Sequence, residues 1–243
     1  MITECPQSIP EIEIERRSHV GIWWFPRDFS QSRFGDRNCG SNACTLIVLL
    51  VAQRCYEQDI KIWGYEQKLL NEQLICALGD SIIEGNNIHE VLLRKGALQH
   101  VNMTVPEAIE AAGSRMKFLT EWKSLVYLMD LGESLFEQLS ETVEEWYSHP
   151  PPRKGSDLYV ILIAENRSVL LVFQKELDKV TLIDSHQHLS HGAVVAQVPT
   201  SKLQNLCLWY HSLLHDCYGA RPQCYELSYF YFKRYEAGEM AAG

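Results

Sequence analysis

The chain has 243 residues, 46% of them apolar and 22% charged, with a net charge of −9. This is the composition of a soluble globular protein and suits one large domain or two small ones. The negative balance argues against an extended nucleic-acid footprint, which needs a basic face. The longest apolar run, around Leu46 to Ala52, is far too short to span a bilayer.

The first 18 residues are acidic and then basic, interrupted by Pro6 and Pro10, and read as a mobile lead-in. Ile22-Trp-Trp-Phe25 is a short aromatic strand or a packed loop, stopped by Pro26. Gly, Asn, Asp and Ser between Arg27 and Ala43 mark a loop. From Cys44 to about Gln58 the residues are apolar nearly all round, which predicts a helix buried in a core. Helix formers from Tyr65 to Leu78 end at Gly79. Thr104-Val-Pro-Glu107 is a capping-box pattern that starts a short helix stopping at Gly113. Glu133 to Tyr147 is amphipathic and ends before Pro150-Pro-Pro152, the clearest internal boundary.

Beyond the prolines the period changes. Leu158–Ala164, Val169–Gln174 and Lys179–Ser185 read as three strands joined by short polar turns, and Gly192–Val198 as a fourth. Ser201 caps a helix running to about Tyr218, with Gly219 past its end, and Gln223–Lys233 alternates aromatic residues as a fifth strand. The result is an α+β fold, a helical first half packed on a mainly antiparallel sheet. A single catalytic domain is expected over residues 19–235, with a helical lobe at about 44–149, a sheet lobe at about 155–235, and a tail at 236–243.

Met1-Ile-Thr-Glu-Cys-Pro lacks the basic and apolar regions of a secretory signal, so a cytoplasmic or nuclear location is expected. Eight cysteines could pair, but in such a setting reduced thiols are expected.

The chemistry gathers at two short motifs. Val180-Thr-Leu-Ile-Asp184-Ser-His186 is an alternating run, and residues i and i+2 of a strand share a face. A carboxylate at Asp184 can then orient an imidazole at His186, which is half of a nucleophilic machine. The other half is a thiol. Cys44 opens the buried helix after Gly-Ser-Asn-Ala, where the macrodipole and unpaired N–H groups favour a thiolate. The bland alternatives are a structural buried cysteine and a turn-forming aspartate, and finding the two motifs in one chain weakens both. Cys39 is the competing nucleophile, in a run that resembles the Asp-Gly-Asn-Cys of ovarian-tumour-type proteases. Gln31, Asn38 and Asn42 are the candidate side-chain amides for an oxyanion. His186, His188 and His191 beside Cys39 and Cys44 raise a zinc site, but no Cys-x-x-Cys pair exists, and no metal or cofactor is expected. His188 and His191 read as solvated loop residues.

A buried-helix cysteine, a separation of well over a hundred residues, and Asp-x-His on a strand followed by a Gly-Ala strand resemble the herpesvirus large-tegument-protein deubiquitinases. That family is papain-like, with the triad order Cys, Asp, His. The resemblance implies Cys44 as nucleophile, His186 as general base and Asp184 as its orienter. It also implies an oxyanion glutamine roughly a dozen residues before the cysteine, a place Gln31 fits. It covers roughly Gln31 to Val198, and the middle from Tyr65 to Tyr147 has no counterpart in it. The expected activity is hydrolysis at the C-terminus of ubiquitin or a ubiquitin-like modifier by a monomer, with no nucleic-acid or membrane partner. A non-catalytic module binding a peptide or modifier on the same fold is the alternative, and a zinc hydrolase a further one.

Overall fold

The computed structural model describes residues 9–35, 37, 39–64, 69–152, 154–155 and 157–233. Among the described residues, thirteen α-helices and strands follow in chain order. They are β1 (Glu13–Arg17), β2 (Val20–Pro26), α1 (Cys44–Glu57), α2 (Glu72–Arg94), α3 (Val105–Ala112), β3 (Leu119–Tyr127) and α4 (Leu131–Ser148). Then come β4 (Asp157–Ala164), β5 (Arg167–Gln174), β6 (Lys179–Asp184), β7 (His191–Pro199), α5 (Leu203–Tyr218) and β8 (Tyr225–Phe232). The eight strands form one sheet in the order β1-β2-β7-β6-β5-β4-β8-β3, and every neighbouring pair is antiparallel.

The α+β class is as expected, but the helices divide between the two faces of the sheet. On one face α1, α2 and α3 pack against Tyr159, Ile161, Leu170, Val172 and Ile183. On the other, α4 and α5 pack against the alternate residues Leu158, Val160, Leu162, Leu171 and Leu182. Covering both faces explains why Leu158-Tyr-Val-Ile-Leu162 is an unbroken buried run rather than an alternation. Burying each leucine, isoleucine or valine side chain contributes about 1.5–3 kcal/mol. α1 lies inside this sandwich, buried from Cys44 through Gln53, which is what its all-round apolar sequence requires.

Several expectations are corrected. Residues 13–17 of the expected lead-in form β1, paired along its length with β2. β1, β2 and β3 all join the sheet, so strands from residues 13–26 and 119–127 extend it beyond the stretch at 155–235. The proposed tail at 236–243 lies outside the described residues. α2 begins at Glu72 and runs through Gly79 to Arg94. Gly79 does not stop it: a Cβ there would lie 3.1 Å from the Phe34 ring, so the glycine serves packing. The side chain of Ser201 is not the cap of α5, which is preceded by a short 3-10 turn over Thr200–Lys202. Cys76 is disulfide-bonded, against the expectation of eight reduced thiols, while six others are free.

Candidate active site

The nucleophile candidate stands where α1 begins. Cys44 is its first residue and is buried, and Ala43 at the cap contributes no side chain to the first-turn N–H groups. Those donors therefore stay oriented along the helix end beside the thiol. Sγ lies 4.0 Å from the carbonyl oxygen of Asn166. Asn166 sits in the two-residue turn between β4 and β5, where Glu165 and Asn166 both take positive φ, 50° and 58°, as a primed hairpin turn demands. One residue into β5, the buried Ser168 hydroxyl lies 2.9 Å from Oγ1 of Thr45, tying α1 to the sheet.

The candidate base, His186, is placed by the end of a strand rather than by strand alternation. β6 stops at Asp184, so His186 lies beyond it. Asp184 Oδ1 accepts the backbone N–H of His186 at 2.9 Å, an Asx turn that bends the chain back, and the ring Nδ1–H at 2.6 Å. The pairing foreseen from the sequence is thus present by a different local geometry. Asp184 is fully buried, whereas the His186 side chain is 13% exposed.

The electrostatics follow from this arrangement. Burial raises the Cys44 thiol, but the hydrogen bond and charge of His186, with help from Ser168, bring it down to about 7. Burial likewise opposes charge on His186, yet the Asp184 carboxylate and then Cys44 raise it to about 10. Asp184 is held well below the usual carboxylate range: burial works against this, and His186 and His188 overcome it. Thiolate and imidazolium therefore coexist between pH values of about 7 and about 10.

Gln31 is joined to the same site by bonds at both ends. Its N–H donates to the Ser185 carbonyl at 2.8 Å, and Ser185 Oγ donates to Gln31 Oε1 at 2.7 Å. That contact turns the amide so that Nε2 donates to the Ser41 carbonyl at 3.0 Å, in the loop leading to Cys44. Asn86 of α2 braces both, donating to the Gln31 carbonyl at 2.8 Å and accepting from Ser41 Oγ at 2.6 Å. Gly192 makes this approach possible, since a Cβ there would collide with the carbonyls of Pro26 and Phe29.

The remaining candidates separate. Asn42 is exposed and donates to Asn102 at 2.7 Å, and Asn38 lies outside the described residues. Cys39 is exposed in the loop. His188 is not a solvated loop histidine: it is buried against Asp184. His191 turns away, 3.1 Å from Glu13 and stacked on Trp24. Among the described residues no group of three or more His, Cys, Asp or Glu side chains is placed to hold a metal. Sequence reasoning missed Ser185, Ser168, Asn86 and Asn166; only Ser185, inside the Asp-x-His motif, carried a local signal.

No family model matches the chain, and no curated protein does. Among solved structures, it is similar to the ubiquitin-specific protease encoded by a murine cytomegalovirus tegument protein, in complex with a ubiquitin-based suicide substrate. That similarity has 13% identity and a TM-score of 0.49, covering 81% of this chain and 80% of the other. It is also similar to the Pseudomonas avirulence protein AvrPphB, at 14% identity and a TM-score of 0.39, over 78% of this chain and 91% of that one. What the site can do chemically rests on its own side chains.

Proposed function

We propose that the protein is a papain-like cysteine peptidase that cleaves at the C-terminus of ubiquitin or a ubiquitin-like modifier. The observation that supports the chemistry is the chain of contacts from a buried carboxylate to His186 and on to a thiol at a helix N-terminus. The Cys44 thiolate attacks the modifier's terminal carbonyl carbon, and the electron pair of the C=O moves onto oxygen. The oxyanion is held by backbone N–H groups at the start of α1 and by the second N–H of Gln31 Nε2, whose first is spent on Ser41. The His186 imidazolium gives its proton to the leaving amine, and a thioester remains on Cys44. Neutral His186 then takes a proton from water, hydroxide adds to the thioester, and the thiolate departs.

The substrate class rests on the Cys, Asp, His order and on charge. A chain with net charge −9 suits a modifier whose binding face is basic and apolar. The test is a panel of modifiers carrying a C-terminal electrophile, read by intact mass. A covalent adduct with ubiquitin or a ubiquitin-like protein is expected, and reaction with a small thiol reagent but with no modifier would remove the substrate assignment.

A further inference from the structure

His188 carries a demand that the triad does not explain. Its ring is buried, with Nδ1 2.9 Å from the Gly192 carbonyl oxygen and Nε2 3.1 Å from Asp184 Oδ2. Both neighbours are acceptors. A carbonyl oxygen only accepts, so Nδ1 carries a proton. A neutral ring would then turn the Nε2 lone pair toward an ionised carboxylate, and a buried anion without its donor is costly.

The alternative is a protonated Asp184 that donates to His188. Oδ1 argues against it, because it already accepts two N–H groups from His186, and donors of that kind favour the anion. Charge balance points the same way. Thiolate, carboxylate and one imidazolium leave a buried net negative charge, which a second imidazolium cancels. The Trp24 ring meets His188 edge to face with its centroid 5.8 Å away, and the Tyr218 ring, which carries the Arg167 guanidinium over its face at 3.8 Å, lies at the same separation. The adjacent cavity is lined by Glu13 and Glu15 of β1 and Asp216 of α5, with Arg17 as the opposing charge.

We propose that His188 is a positioning residue, a buried imidazolium that fixes the second oxygen of Asp184 so that one carboxylate serves two histidines. The proposal rests on the reading of Cys44, His186 and Asp184 as the catalytic set. With Oδ2 anchored, the carboxylate cannot rotate about its bond to Cβ, and Oδ1 stays in line with Nδ1 of His186. Gly192 thus acts twice, by admitting the Gln31 loop and by offering the carbonyl that fixes the His188 ring.

The test combines ring 15N NMR of the full chain at neutral pH with two variants. In the native protein both ring nitrogens of His188 should carry protons; a single N–H on that ring would overturn the proposal. His188→Gln keeps a donor to Asp184 without the charge, and His188→Leu keeps neither. Turnover of a modifier substrate should fall on the order of tenfold in His188→Gln and further in His188→Leu, with KM unchanged. Equal turnover in all three proteins would also contradict it. A loss of soluble protein in His188→Leu leaves the NMR reading intact. If the native chain labels with no modifier while His188 is doubly protonated, the substrate assignment fails and the charge assignment stands.

Discussion

Asp184 Oδ1 receives both the backbone N–H and the ring Nδ1–H of His186, at 2.9 and 2.6 Å, so one oxygen sets both the turn and the tautomer. With Nδ1 protonated, Nε2 is the nitrogen left to exchange a proton with Cys44. The same oxygen thus orients a histidine that lies beyond the end of β6.

Asp184→Asn therefore has a specific consequence. An amide can present its N–H₂ to Nδ1, favouring the wrong tautomer and withdrawing the charge that supports the imidazolium. Turnover of a modifier substrate should drop by roughly a hundred- to ten-thousandfold with binding retained. A variant that turned over normally would exclude Asp184 as the orienter.

Asp184→Ala should also weaken the fold. The carboxylate is fully buried and accepts from two histidines, so its removal strands the buried His188 ring. The expected loss is about 3–5 kcal/mol, that of a broken buried pair, measurable as a lowered urea midpoint with unchanged slope. His188→Leu combined with Asp184→Leu should recover part of that loss.

The pH profile follows from the two shifts. A Cys44 thiol brought down to about 7 is thiolate above that value. A His186 ring raised to about 10 is imidazolium below that value. The reactive ion pair exists between them, so kcat/KM should rise through neutrality to a plateau above it and fall as pH approaches about 10. The limbs belong to the pair rather than to either residue alone. A single limb near the ordinary thiol value would mean that the pair is not formed.

Gln31→Ala should lower kcat by about ten- to a thousandfold, the cost of one oxyanion donor. Ser185→Ala, which frees the Gln31 amide to rotate without removing it, should give a smaller loss. Comparable activity of Gln31→Ala and the native protein would shift oxyanion stabilisation to the α1 backbone.

Much of this site was legible in the sequence, and the reasons are local. The all-round apolar face after Cys44 marked α1, the Thr104–Glu107 capping box marked α3, and apolar runs between short turns marked β4, β5 and β6. β3 was not legible, because it is a half-exposed edge strand whose partner β8 lies about a hundred residues away. Gly79 misled because helix-stopping and close-packing glycines look alike in sequence, and only the Phe34 ring distinguishes them. His188 was hidden for a similar reason. Its burial depends on the Trp24 and Tyr218 rings, contributed by β2 and by the end of α5.

The central claim is that Cys44 is a modifier-directed nucleophile, and the most direct measurement is to map the cysteine labelled by a ubiquitin C-terminal electrophile. The account predicts one adduct, on Cys44, that disappears in Cys44→Ala and persists in Cys39→Ala. Labelling at Cys39, or an adduct that survives Cys44→Ala, would contradict it.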